Sequence, residues 1–208
     1  MEEVETIEEI SDEVMEEKKT LKDILIEMKD LSEVMTDLAY SSVLLNSREI
    51  AEEVVEMEEE MDKLRIEAEI KAMLSSRDQD DAEDLVGILH IAHAAENMSD
   101  AAKSIVEVVL RGEGEHPILQ GMLSEAEESI VKVVIKPESV MVNKTLGELK
   151  LSTHTGMFVI AIKRGKKWSY RPKKGTKLRS DDMIIAVGSR EGVKTLQDLA
   201  CGKLKELC

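Results

Sequence analysis

Glu58 and Asp62 stand four residues apart, and so do Glu96 and Asp100. On a helix, an i, i+4 pair projects both carboxylates from one face. Each acid also follows by one residue a position of an apolar helical stripe, Met57 and Met61 for the first pair and Ala95 and Ser99 for the second. That offset predicts carboxylates at the edge of a buried seam, partly withdrawn from water. Two such pairs on neighbouring helices can meet as a four-carboxylate site for a hard or borderline cation. His93 lies three residues before Glu96 on the same face and His90 one turn earlier, so imidazole can join the set. A plainer reading stands beside this one. The segment is so rich in Glu that acid pairs at this spacing also arise by chance, and Glu49, Glu52, Glu53, Glu56, Glu59 and Glu60 read as a solvated face.

The elements that would position these acids are legible from apolar spacing. Leu21, Ile24, Met28, Leu31, Met35, Leu38, Ser42 and Leu45 alternate three and four apart, a helical seam about 40 Å long at 1.5 Å per residue. Ser47 offers an N-cap to a second seam of Ile50, Val54, Met57, Met61, Leu64 and Ala68. After Ser75-Ser76-Arg77-Asp78, a third seam runs Leu85, Ile88, Ala92, Ala95, Ser99, Ala102, Val106 and Val109, with Asp80 or Asp81 as its cap and Gly112 and Gly114 beyond its end. Residues 1–16 carry a weaker pattern of Val4, Ile7, Ile10 and Val14. Helices over about 20–46, 47–76 and 80–111, joined by short connections, predict an all-α antiparallel three-helix bundle within a domain spanning residues 1–125.

Composition changes after that domain. Residues 1–130 hold 37 acids and 11 bases, whereas residues 131–208 hold 7 acids and 17 bases. Phe158, Trp168 and Tyr170, three of the four aromatics, and the β-branched runs all fall in the second part. A short helix after Pro117 (Ile118, Leu119, Met122, Leu123) leads to a strand over 129–136 and a turn near Pro137. A helical turn at Thr145–Leu149, capped by Asn143 or Thr145, comes next. Strands at Phe158–Lys163 and Trp168–Tyr170 flank a turn at Arg164-Gly165-Lys166, and Met183–Val187 forms another. Ser189 caps a last helix with Val193, Leu196, Leu199, Ala200 and Leu204 on one face. Residues 126–208 are therefore expected to form a small α+β domain, making the chain multidomain.

Several function classes are set aside. The 208 residues carry a net charge of −16, which disfavours nucleic acid as a partner, although Lys163 to Arg179 is locally basic. No apolar run approaches the roughly 20 residues of a membrane span, and Met1-Glu2-Glu3-Val4-Glu5 is acidic where a signal peptide is basic. Cys201 and Cys208 make no disulfide framework, so a cytoplasmic location is expected, with room for peripheral association with a membrane transporter. Gly112-Glu113-Gly114 lacks a third glycine at dinucleotide-binding spacing and no Walker loop exists, so neither an NAD nor an ATP site is expected. No nucleophile–base arrangement is visible, and His93 precedes Glu96 where bundle-type metal enzymes use Glu-x-x-His, so an enzyme is not expected.

Two resemblances sharpen this reading. Val55–Leu64, containing Glu58 and Asp62, resembles the first acidic motif of PhoU domains, and Ala94–Ala102, containing Glu96 and Asp100, is similar to the second. The resemblance covers about residues 18–112 and departs from the family at Asn97-Met98-Ser99 and Ala94. It implies a three-helix repeat whose Glu/Asp-x-x-x-Asp motifs bind iron or zinc clusters in some members. Glu58, Asp62, Glu96 and Asp100, with His93, are then the expected ligands of iron, zinc or another divalent metal. Residues 129–200 resemble the TrkA-C (RCK-C) regulatory domain of potassium-transport gating proteins. The resemblance rests on Asn143–Leu149, Thr155–Gly165, Arg171-Pro172, Thr176–Asp182 and Ile184–Ser189. It implies dimerisation through this domain and, as in some members, a cyclic di-AMP-like effector at the dimer interface. By position His154, Thr155, Val159 and Arg164 are the expected lining of that effector pocket; alternatively Val159 is core and the others are ordinary turn and surface residues. Together these imply a homodimeric, non-enzymatic accessory protein of cation transport, with potassium foremost. Its helical part would dock on a membrane transporter or channel subunit without inserting into the membrane. The alternative is a PhoU-like metal-binding modulator of phosphate uptake or signalling.

Overall fold

A computed structural model describes residues 7, 10–12, 14, 19–114, 116 and 128–204. The chain divides into two compact units, Met1–Gly114 and Glu115–Cys208. The sequence-predicted short helix after Pro117 and Cys208 lie outside the described residues.

In the first unit, α1 (Leu21–Leu44), α2 (Arg48–Ser75) and α3 (Gln79–Leu110) pack against one another in a bundle, as expected. Thr20 opens α1 with a capping box: its hydroxyl accepts from the Asp23 amide at 3.2 Å and the Asp23 carboxylate accepts from the Thr20 amide at 3.0 Å. These Thr20 bonds, more than the nearby lysines, hold the Asp23 carboxyl below its ordinary range. The α3 cap is Asp78, not Asp80 or Asp81. Its extended backbone (φ −151°) lets its side chain accept from the Asp81 amide at 2.9 Å, so the helix begins earlier than the seam predicts. Every α2 seam position is buried, and fully burying a Met, Leu or Ile contributes roughly 1.5–3 kcal/mol. Helix α1 is buried beyond its seam on both edges, with Ser32, Ala39 and Val43 on one side and Val34 and Ser41 on the other. The wider buried face arises because α1 packs on both α2 and α3. The buried Ser32, Ser41 and Ser42 hydroxyls donate to carbonyls of α1 itself, so their burial costs no unmade hydrogen bond.

The second unit is a four-stranded antiparallel sheet with helices, an α+β fold. Its elements are β1 (Glu128–Val134), α4 (Leu146–Leu149), α5 (Leu151–Thr155), β2 (Met157–Arg164), β3 (Lys167–Tyr170), β4 (Met183–Ser189) and α6 (Arg190–Ala200). The strand order is β1-β4-β2-β3, so the last strand in sequence lies between β1 and β2. Val131, Val133, Met157, Ile162, Ile184 and Ala186 supply the sheet's side of the core, and Leu196, Leu199 and Ala200 of α6 supply the other. Ser189 caps α6 by accepting from the Gly192 amide at 3.2 Å. Gly192 is required here, because a Cβ would lie 1.8 Å from the Thr155 carbonyl oxygen.

Candidate functional sites: a carboxylate-lysine cluster and a basic cleft

Helix α2 presents Glu58 and Asp62, and α3 presents Glu96 and Asp100. Burial differs sharply among them. Glu58 is only 8% exposed, Glu96 is half-buried, and Asp62 and Asp100 face solvent. Two cations that the acidic motifs did not flag enter the same region. Lys103 Nζ lies 2.7 Å from Glu58 Oε2, and Arg65 Nε lies 3.9 Å from Glu96 Oε1. Arg65 also pairs along its own helix with Glu69 at 2.8 Å.

The electrostatics tie the cluster together. Desolvation first, then the neighbouring Glu58 charge and the Asp100 charge from the facing helix, push the Asp62 carboxyl above its ordinary range against the pull of Arg65 and Lys103. The Lys103 ammonium is held above its usual range, chiefly by the Glu58 hydrogen bond and additionally by the charges of Glu58, Asp62 and Asp100. The structure therefore brings Glu58, Asp62 and Asp100 into one electrostatic neighbourhood, with Lys103 as its shared counter-charge. The exposed His93 lies 3.9 Å from Glu69 through Nε2, and His90 is exposed. Among the described residues, no three His, Cys, Asp or Glu side chains converge in a geometry that could hold a metal ion. The signal for Lys103 and Arg65 was present in the sequence: each stands three residues after the second acid of its pair, and so seven after the first.

In the second unit, a cleft of about 520 Å³ opens between α4, α5, the start of β2 and the 172–174 segment. Leu146, Val159 and Pro172 give it apolar walls, Phe158 is 62% exposed, and Lys150 and Lys174 supply positive charge. Of the four residues expected at an effector pocket, Val159 lines this cleft. Thr155 is buried, its hydroxyl donating to the Leu151 carbonyl at 2.7 Å and accepting from the Met157 amide at 3.2 Å. Arg164 makes a fork to Asp182, Nε to Oδ1 at 2.8 Å and Nη2 to Oδ2 at 2.7 Å, and also donates to the Lys177 carbonyl. Asp182 is 1% exposed and accepts further from the Arg179 amide at 2.7 Å, so the pair fastens the 177–182 turn to the end of β2. His154 is exposed at the end of α5. Helix α5, which supplies Leu151, Ser152 and Thr153 to the cleft, was not anticipated. Its boundaries depend on left-handed backbone at Lys150 and Gly156, and only the glycine marks such a turn in sequence.

Beside the cleft, Lys163 to Arg179 holds nine basic residues and no acid. Within it Trp168 and Tyr170 stack at 6.3 Å, and the Lys163 ammonium lies 5.3 Å from the Trp168 ring. Among the described residues, no helix is long and apolar enough to cross a membrane.

Comparison with known proteins finds a family match within each unit. The PhoU domain matches residues 25–109 and the TrkA-C domain matches residues 130–200. The chain is similar to the phosphate-specific transport system accessory protein PhoU homolog of Zymomonas mobilis, at 32% identity over 130 residues covering 61% of this chain and 52% of the relative. It thus spans about half the length of that curated relative. Among solved structures, the RCK C domain of the potassium transport protein KtrA in complex with cyclic diadenosine monophosphate is 25% identical, covering 39% of this chain and 93% of that one, with a TM-score of 0.33. The RCK_C domain dimer of Streptococcus agalactiae BusR in complex with c-di-AMP is 20% identical, covering 36% and 91%, also with a TM-score of 0.33. Both matched families are regulatory or accessory rather than catalytic.

Proposed function

We propose that this chain, in which a PhoU domain precedes a TrkA-C domain, is a non-enzymatic regulatory accessory protein of cation transport, with potassium as the ion. In this reading the TrkA-C unit dimerises and binds a small anionic effector, while the helical unit docks on the transporter. The observation that carries it is the presence of both domains in one chain, at residues 25–109 and 130–200.

The cleft supports the effector step. Phe158, Leu146 and Pro172 suit a flat apolar base, and Lys150 and Lys174 suit phosphate, which together describe a cyclic dinucleotide such as cyclic di-AMP. The effector acts by binding one arrangement of the dimer better than another. Calorimetric titration of the full chain with cyclic di-AMP, with mass taken by light scattering, tests this. Saturable binding to a dimer supports the reading, and a monomer that binds no nucleotide removes its effector step.

A second reading, a modulator of phosphate uptake built around the acidic pairs, is favoured by the similarity to the Zymomonas mobilis accessory protein. The two part on the solute: cation uptake responds to this chain under the first and phosphate uptake under the second.

A further inference from the structure

We propose that the acidic pairs of this chain are closed by its own cations, Lys103 and Arg65 standing where the resemblance to PhoU domains implies an iron or zinc cluster. The inference concerns the helical unit alone and is independent of which solute the protein regulates.

A metal cluster needs several carboxylate or imidazole donors aimed at one point, with lone pairs free. The donor set here is spent differently. Glu58, the one deeply buried acid of the four, has its Oε2 against the Lys103 ammonium at 2.7 Å. Glu96 faces the Arg65 guanidinium at 3.9 Å. Asp62 and Asp100 are exposed and act electrostatically on the same Lys103, and among the described residues no three His, Cys, Asp or Glu side chains are placed to hold a metal ion. A divalent ion at Glu58 would have to displace the ammonium while leaving it close by, so two positive charges would compete for one set of acids.

The arrangement is reciprocal. Lys103 stands seven residues after Glu96 and reaches Glu58, while Arg65 stands seven residues after Glu58 and reaches Glu96. Seven residues is about two turns, or ~10.5 Å, so the two cross-helix pairs repeat the same axial offset in opposite directions. The product is a latch that fixes the register of α2 against α3 without an ion from solution.

The test uses the full chain purified without a metal-chelating tag. Elemental analysis, melting with and without EDTA, and melting with added Zn²⁺, Fe²⁺ and Mn²⁺ are measured on the wild type, Lys103→Met, and the double variant Glu58→Gln/Lys103→Met. The latch requires a wild type with no stoichiometric metal and an unchanged melting temperature under EDTA or added metal. It further requires that Lys103→Met melt lower by several degrees, and that Glu58→Gln in that background restore part of the loss by removing the stranded buried carboxylate. Should Lys103→Met fail to fold, the double variant and the wild-type metal content still decide. One or more metal ions per chain, lost in the double variant, overturn the proposal. So does a Lys103→Met protein that melts like the wild type.

Discussion

Lys103 on α3 and Glu58 on α2 are joined across the helical bundle at 2.7 Å. The pair lies at the boundary between core and solvent: Met57 and Met61 beside Glu58 are buried, whereas the Lys103 stem is partly exposed. An ion pair in that position loses less to screening than a surface pair and costs less desolvation than a core pair. The motif is therefore both an electrostatic feature and a packing feature.

Asp62 gives that cluster a pH signature. Its carboxyl is held above the ordinary value of 3.8, mainly by desolvation and then by Glu58, so the folded chain binds this proton more readily than the unfolded one. Stability from this group is thus greatest when it is protonated and falls as pH rises through the raised range. Asp62→Asn is expected to raise the melting temperature near neutral pH and to have no effect well below 3.8, checked by thermal melts followed by circular dichroism across pH.

In the second unit, the Arg164–Asp182 fork is expected to carry stability rather than ligand. Asp182→Ala strands the Arg164 guanidinium and the Arg179 amide, at an expected cost of about 2 kcal/mol or more. Denaturant unfolding of Asp182→Ala, Arg164→Met and the double variant is expected to give a double-variant loss smaller than the sum of the singles.

Gly192 permits α6 to lie on the backbone at the end of α5. Gly192→Ala places a methyl 2.8 Å from Met157 Cγ as well as against the Thr155 oxygen, and is expected to cost at least ~2 kcal/mol. Hydrogen exchange checks this directly: protection is expected to fall across β2, β4 and α6 while α1 to α3 are unchanged.

The cleft's two lysines make a separate prediction. Lys150→Glu and Lys174→Glu each reverse a charge at the cleft, and each is expected to weaken cyclic di-AMP binding about tenfold or more while leaving the melting temperature within a few degrees of wild type. Titration of each variant checks it.

The bundle was legible because apolar spacing is a local, periodic signal: Ile50, Val54, Met57, Met61, Leu64 and Ala68 could be read in order and are all buried. The additional buried residues flanking the α1 seam were less legible, since Ser32 and Ser41 are polar residues whose hydroxyls are satisfied within the helix itself. The site residues divide the same way. Glu58 and Glu96 announce themselves by spacing, but the distance from Glu58 to Lys103 spans 45 residues of sequence and depends on how two helices are set against each other. Arg164 shows the same limit. Placed by position at an effector pocket, it spends its guanidinium on Asp182, 18 residues later, a partner that only the pairing of β2 with β4 brings near.

A role in cation transport is tested most directly by paired uptake of rubidium, as a potassium tracer, and phosphate in cells lacking this chain, complemented by the wild type or by Lys150→Glu/Lys174→Glu. Loss of the chain is expected to alter rubidium uptake with phosphate uptake unchanged, and the cleft variant is expected not to restore it. Altered phosphate uptake with unchanged rubidium uptake would contradict a role in cation transport and leave the phosphate-accessory reading in its place.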